Sequence, residues 1–271
     1  MTDSRGMPVL LAASHGTSDP AGQGAVDALV RAVARAKLDV QVLASFVDVQ
    51  LPDVPGSIDS VAPGQSVVIV PLLLSAGYHV RVDLAKSARA AEPRDVSVTG
   101  ALGPDDRLAD ILVARLTEAG LRPSDSIVMA AAGSSDANAV KDCFLIGRML
   151  ADRLGRPVSV GFISAAQPRL SDVIAAARAA APDQRVIVAT YLLAPGYFFG
   201  LASAAGADIV SSPLLVEDGT PPAALVDVVV DLYSAAAASG AAGHMDAGHR
   251  VGFYDGNVTA AYQPTFGTVT T

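Results

Sequence analysis

Residues 10–17 read LLAASHGT, an apolar run that ends on a serine, a histidine and a glycine. A short apolar run bounded by turn residues predicts a strand that is buried on both faces. Apolar runs over residues 40–47, 67–74 and 96–101 predict three more strands, and the segments between them have helical periodicity. Strands that alternate with helices predict an α/β fold with a parallel sheet covered on both faces.

The pattern begins again after a predicted linker at residues 120–124. Glycine and proline landmarks recur at an offset of 116 to 119 residues, and the pairs are Gly16 and Gly133, Pro52 and Pro168, and Gly77 and Gly196. We therefore expect two tandem units, at residues 1–122 and 123–237, each a small parallel sheet flanked by helices. Residues 238–271 are rich in alanine and glycine and are predicted to form a disordered tail.

The composition limits the classes of function. The chain has 271 residues, of which 51% are hydrophobic, so both units can bury a core. A formal charge of −8 argues against nucleic-acid binding, and no apolar stretch is long enough to span a membrane. The N-terminus does not read as a secretory signal, so we expect a cytoplasmic protein. Cys143 is the single cysteine, which excludes a thiolate cluster and predicts a buried, inert thiol.

Two histidines of the first unit follow predicted strands and lie beside glycines. His15 follows the first strand, and His79 follows the third. Because ligands of parallel α/β sheets bind beyond the carboxyl ends of the strands, we expect both imidazoles to meet at one rim, together with Asp48 after the second strand. Two imidazoles and a carboxylate suit Co²⁺, Fe²⁺, Ni²⁺ or Zn²⁺. An incomplete set of protein ligands also leaves room for a substrate nitrogen.

The second unit lacks all three of these side chains. The matched pairs are His15 and Ala132, Asp48 and Ser164, and His79 and Phe198. A residue needed only for folding should tend to recur in both copies, and these do not. A lone histidine would be explained as an ordinary loop residue, but the pair predicts a site in the first unit with His15 and His79 as metal ligands and catalytic residues. Asp48 is the third catalytic candidate, and a strand-end acid or a cap explains it equally well. The second unit would then shield the cleft or form part of its wall.

Further residues of the same loops are candidates for binding an acidic substrate. Ser14, Gly16 and Thr17 offer backbone N–H groups and hydroxyls, as anion sites at helix starts do. A capping turn led by Asp19 would explain the same residues. Beside His79, the candidates for substrate binding are Gly77, Tyr78 and Arg81. The wet face of a helix would explain Arg81 as well.

The order and spacing of these motifs resemble the class II chelatases that insert cobalt or iron into sirohydrochlorin. The resemblance rests on SHGT at 14–17, SFVD at 45–48 followed by Pro52, and VPLLL at 70–74 leading to GYHV at 77–80. The whole chain resembles the longer, two-unit members. The family often has glutamate at the position of Asp48, so the aspartate of this chain departs from the family pattern.

The resemblance implies a lyase with a chelatase-like fold in each unit and a metal held by the paired histidines. It implies a sirohydrochlorin-type tetrapyrrole and a divalent metal, Co²⁺ or Fe²⁺, as substrates, with no permanently bound cofactor. Closely similar enzymes serve cobalamin and sirohaem biosynthesis, so both pathways stay open, as does the oligomeric state.

Two other functions stay open on the sequence. A histidine phosphatase uses a histidine after its first strand as nucleophile, but that chemistry needs clustered arginines, and Ser14 precedes His15 here. A non-catalytic tetrapyrrole or metal carrier would bind tightly without inserting the metal. Phosphate release and single-turnover insertion separate these functions from a chelatase.

Overall fold

The computed structural model describes residues 6–37, 39–75 and 77–243, with the backbone alone for 78–81 and 240–243. The elements of the first unit are β1 (Val9–Ser14), α1 (Pro20–Ala36), β2 (Val42–Phe46), α2 (Val54–Asp59), β3 (Val67–Pro71), α3 (Tyr78–Ala90), β4 (Val96–Val98) and α4 (Asp106–Glu118). The elements of the second unit are β5 (Ser126–Ala131), α5 (Ala137–Leu154), β6 (Val158–Phe162), α6 (Leu170–Ala180), β7 (Val186–Tyr191), α7 (Tyr197–Ser203), β8 (Ile209–Val210) and α8 (Ala223–Gly243).

The predicted fold class is confirmed. The strands form two four-stranded sheets with the orders β2-β1-β3-β4 and β6-β5-β7-β8, and every neighbouring pair is parallel. The helix α8 continues five residues past Ala238, where the tail was predicted to begin. The rest of the predicted tail, 244–271, lies outside the described residues.

Side chains of β1 alternate between two hydrophobic cores, because successive residues of a strand point to opposite faces. Val9, Leu11 and Ala13 face an outer core with α2 and α3. Leu10 and Ala12 face a central core that contains α1, α4, α5 and α8. The strand β5 alternates in the same way between this central core and a second outer core with α6. The two sheets therefore share one layer of helices, and their buried faces explain the continuous apolar runs.

The closing helix of each unit packs across onto the other unit. The helix α4 contacts α5 and β7, while α8 contacts α1, β3 and β4. The Arg115 guanidinium on α4 donates hydrogen bonds to the carbonyl oxygens of Pro213 and Leu214, at 3.1 and 2.8 Å. The Tyr233 hydroxyl on α8 donates to the carbonyl oxygen of Pro8 at 2.6 Å. This exchange of closing helices ties the two units together.

Candidate active site

The C-terminal ends of β1, β2 and β3 form one edge of the first sheet. His15 directly follows β1, and Asp48 lies two residues beyond β2; both residues are exposed. The Asp48 N–H donates to the carbonyl oxygen of His15 at 2.9 Å, and the Val47 N–H donates to that of Ser14 at 2.9 Å. The loops that carry these two candidate residues are therefore held side by side.

His79 lies in the first turn of α3, beyond the loop that leaves β3. The strands β1 and β3 are neighbours, with Ala13 paired with Pro71, and the Leu72 N–H donates to the Ala13 carbonyl oxygen at 2.8 Å. The backbone thus brings the positions of His15 and His79 to the same edge, on adjacent strands. A metal ion shared by the two imidazoles stays a prediction.

The loop after β1 has the geometry of a helix-capping turn. The Asp19 carboxylate accepts hydrogen bonds from the first N–H groups of α1, including Ala21 at 2.9 Å. The Thr17 N–H donates to the Gln50 side-chain oxygen at 2.9 Å, and the Thr17 hydroxyl accepts from the Asp19 N–H at 3.1 Å. Ser14 is buried as the last residue of β1. The capping explanation therefore accounts for much of this loop, and the contacts described here leave the hydrogen of the Thr17 hydroxyl available as a donor.

The other predicted substrate contacts lie at the start of α3. Gly77 is the N-cap of this helix, and Tyr78 and Arg81 lie in its first turn. A Cβ atom added at Gly77 would lie 3.1 Å from the Ser134 hydroxyl oxygen of the second unit. The start of α3 therefore lies against the second unit as well as beside the edge of its own sheet.

Asp48 has a structural task in its loop. Its carboxylate accepts a hydrogen bond from the N–H of Val49 at 2.8 Å. Val49 has a φ of +65°, which is unusual for a β-branched residue, and the carboxylate supports that turn. This contact within its own loop fits the alternative explanation of Asp48 as a cap. Asp48 is also exposed, so its carboxylate remains accessible at the rim of the site.

Gly16 and its counterpart Gly133 show that both units keep the same loop backbone. Each glycine has a φ of +91°, and a Cβ atom there would collide with a carbonyl oxygen, of Asp48 in the first unit and of Ser164 in the second. The Ser164 N–H also donates to the carbonyl oxygen of Ala132 at 2.9 Å, as Asp48 does to His15. The second unit therefore retains the loop geometry while lacking all three predicted active-site side chains.

Loops of the second unit close over the edge of the first sheet. A Cβ atom added at Gly22, in the first turn of α1, would lie 2.5 Å from the Pro195 carbonyl oxygen. One added at Gly196 would lie 3.5 Å from the Thr17 hydroxyl oxygen. The C-terminal edges of the two sheets therefore meet, and the second unit forms a wall beside the candidate site.

A buried polar cluster at this junction was not predicted from the sequence. Tyr191 ends β7, and its hydroxyl donates to the carbonyl oxygen of Leu74 at 3.2 Å. Burial, and then the nearby Cys143, raise the pKa of Tyr191 well above its usual value, so the phenol stays a donor. The thiol of Cys143 contacts Ser75, which lowers its pKa, but burial has the larger effect and raises the pKa to about 11. The burial of Cys143 expected from the sequence is confirmed, and its inertness stays a prediction.

Tyr191 holds the segment that leads to His79, and its replacement tests that role. We expect Tyr191→Phe to lower the free energy of unfolding by about 1–3 kcal/mol, because the Leu74 carbonyl loses its buried donor. We also expect weaker binding of Co²⁺, measured by titration, since Leu74 lies five residues before His79. Tyr233→Phe is the matched control, because it removes a buried hydroxyl contact with Pro8, on the N-terminal side of β1, and should leave Co²⁺ affinity unchanged. Equal Co²⁺ affinity in wild type and Tyr191→Phe would contradict the positioning role.

The described side chains, which do not include that of His79, contain no group of three His, Cys, Asp or Glu residues that could hold a metal ion. A metal site at this edge that includes the His79 imidazole stays a prediction.

The fold and this edge define a protein of tandem chelatase-like units. The profile of the CbiX family matches residues 9–119 and 126–200, so the chain belongs to the CbiX family. The match confirms the resemblance to sirohydrochlorin chelatases that the sequence motifs indicate. No curated protein matches the chain.

Three solved structures share the fold at low sequence identity. SirB from Bacillus subtilis with Fe³⁺ is 19% identical and has a TM-score of 0.70, over 87% of this chain and 98% of that one. The sirohydrochlorin chelatase SirB from Bacillus subtilis subspecies spizizenii, in complex with cobalt, is 17% identical and has a TM-score of 0.66, over 87% and 97%. CbiX, described as the terminal enzyme of sirohaem biosynthesis in denitrifying bacteria, is 18% identical and has a TM-score of 0.59, over 84% and 99%.

Proposed function

We propose that this protein is a chelatase that inserts Co²⁺ or Fe²⁺ into a sirohydrochlorin-type tetrapyrrole. The observation that carries the proposal is the placement of His15 and His79 beyond adjacent parallel strands, at an edge beside which loops of the second unit form a wall. Membership of the CbiX family supports the reaction class. The names of the structural neighbours, which mention sirohydrochlorin, iron and cobalt, support the choice of ring and metals.

The first requirement of the reaction is a metal ion that is held and then released. Neutral imidazoles are good ligands for Co²⁺ and Fe²⁺. Two imidazoles leave most coordination positions free, so the ring nitrogens can replace water as the metal is transferred. The metal is a substrate here, and the site in the first unit holds it only until insertion.

The second requirement is the removal of two pyrrole N–H protons from the ring. An imidazole nitrogen that is not bound to the metal at that moment keeps a free lone pair and can accept a proton. We propose that His15 or His79 accepts one proton. Asp48 is a candidate for the second proton, because its backbone N–H donates to the carbonyl oxygen of His15 and its side chain is exposed at the rim.

The third requirement is to bind a ring whose edge is lined with carboxylates. The chain has a net charge of −8, so the ring must be met by local donors rather than by the overall field. We propose that the Thr17 hydroxyl, the N-terminus of α3 and Arg81 provide these contacts. The first turn of α3 presents backbone N–H groups that favour anions.

Absorbance spectroscopy of metal insertion tests the proposal. Purified protein is mixed with metal-free sirohydrochlorin and either Co²⁺ or Fe²⁺, and the initial rate is compared with the spontaneous rate without protein. We expect a rate above background with at least one metal, and the ratio of the two rates gives the preference. A single-turnover experiment separates the enzyme from a carrier, because a carrier would bind the ring and leave the insertion rate at background, which would refute the chelatase.

A cytoplasmic location stays a prediction. In the described part of the chain, no helix combines the length and apolar character needed to cross a bilayer.

A further inference from the structure

Exposed large apolar side chains are concentrated near the C-terminal edges of the two sheets. In the described part of the chain they are Met7, Val49, Leu51, Phe144, Tyr197, Phe198 and Leu201. Two of them lie on the loop after β2 in the first unit, and three lie on α7 in the second. Five of the seven therefore lie where loops of the C-terminal edges gather. Apolar surface left in water at such a place is typical of a ligand site.

The three residues on α7 form one surface, which we call the aromatic ridge: Tyr197, Phe198 and Leu201. Tyr197 is 76% exposed, and Phe198 and Leu201 are 40% and 39% exposed. The two rings pack edge to face with centroids 5.9 Å apart. Aromatic residues make up only 5% of the chain, so two adjacent exposed rings are a distinctive feature of this helix.

The ridge begins beside the loop that carries His15. Gly196 immediately precedes Tyr197, and a Cβ atom added there would lie 3.5 Å from the Thr17 hydroxyl oxygen and 3.9 Å from Cβ of Asp19. Thr17 is two residues from His15. The start of the ridge therefore lies across the junction of the units from the proposed metal site.

We propose that the aromatic ridge packs against one face of the tetrapyrrole and holds its nitrogens toward the metal on the first unit. This proposal rests on the proposed function, since the ligand is the substrate of that reaction. A planar macrocycle has apolar π faces and a carboxylated edge, and aromatic side chains pack favourably on such faces. The donors of the first unit then meet the edge of the ring, while the ridge meets its face.

The internal repeat supports a division in which the first unit binds the metal and the second unit binds the ring. Phe198 stands at the position that His79 occupies in the first unit, each being the second residue of the helix after a matched glycine. At that position the first unit has a metal ligand candidate, and the second has an aromatic ring. The duplicated units thus divide the reaction: the first binds the metal, and the second binds the ring.

Separate titrations of the two substrates test the division. Metal-free sirohydrochlorin is titrated by fluorescence, and Co²⁺ is titrated without the ring. We expect the double variant Y197A/F198A to bind the ring roughly tenfold or more weakly, about 1.4 kcal/mol, with unchanged Co²⁺ affinity. His15→Ala should show the reverse pattern. Met7→Ala is the matched control, because Met7 is 43% exposed but precedes β1, and its ring affinity should equal that of wild type.

The outcomes separate the ridge from the proposed function. Wild-type affinity of Y197A/F198A for the ring, with insertion intact, would overturn the ridge alone. No binding of the ring by the wild-type protein would overturn the proposed function and the ridge together. If the double alanine variant does not fold, Y197L/F198L keeps the apolar bulk and removes the aromatic faces. A raised KM for the ring in that variant supports the ridge, and an unchanged KM contradicts it.

Discussion

His15→Ala is expected to lower the rate of metal insertion about 100-fold or more, because it removes both a proposed metal ligand and a proposed proton acceptor. His15 is exposed and lies beyond the end of β1, so its side chain contributes little to the core. The variant should therefore unfold at the wild-type temperature. A loss of turnover without a loss of stability is the signature of a residue that serves chemistry.

His79→Ala should have an effect of the same size, and the double variant should be little worse than either single one. Two residues that act together in the same step give strongly non-additive losses of rate, because removing either one already disables that step. The matched control is His249→Ala, which replaces a histidine within the predicted tail of residues 238–271 and should retain full turnover. Full turnover in both His15→Ala and His79→Ala would refute the assignment of these residues.

Gly16→Ala is expected to abolish most insertion activity through the backbone. A side chain at this position meets two obstacles, a φ of +91° and the carbonyl oxygen of Asp48. Strained backbone of this kind costs about 1–3 kcal/mol per residue, and the collision adds to that cost. The loop must then move, and the loop carries His15. We expect a lower melting temperature together with a loss of insertion greater than tenfold.

Gly133→Ala provides a control of the same strain in the unit that lacks the histidines. Its φ is identical, and the Cβ atom would meet the Ser164 carbonyl oxygen. We expect a similar fall in melting temperature but a smaller loss of insertion by the protein that remains folded. Gly24→Ala, in α1 with open space around its Cβ position, should be neutral or slightly stabilising. Equal insertion activity in Gly16→Ala and wild type would show that the loop geometry is not needed.

The strands and the duplication could be predicted from the sequence because they depend on local patterns. Apolar runs such as that of residues 10–13 mark strands buried on both faces, and the parallel sheets confirm this. The glycine pair Gly16 and Gly133 could be matched because both require the same left-handed φ beside a carbonyl group. Such a steric restriction permits only glycine at the position, so it can be seen directly in the sequence.

The partner of each closing helix could not be predicted. Helical periodicity recurs in the segment that forms α4, and Leu108 and Leu112 are buried on one face of that helix. Periodicity fixes which face of a helix is covered but does not identify the covering surface. The exchange of α4 and α8 depends instead on long-range contacts such as that of Arg115 with Leu214, which lie 99 residues apart.

The sequence could predict which residues of the candidate site lie at the same edge of the sheet, because this follows from the order of the strands. Adjacent parallel strands place His15, Asp48 and His79 at one edge, and this needs no side-chain detail. The contact of Tyr191 with Leu74 and the exposed ridge on α7 leave no local pattern, because Tyr191 reads as an ordinary strand residue and Tyr197 reads only as the counterpart of Tyr78. These features emerge when two distant loops meet in the folded chain.

The central claim is that His15 and His79 hold one metal ion between them. Anomalous diffraction from a crystal grown with Co²⁺ measures this directly. We expect one strong peak per chain, about 2.0–2.2 Å from an imidazole nitrogen of each histidine, as for divalent metal–histidine bonds. Peaks at only one of the histidines, or a single peak elsewhere in the chain, would contradict the claim.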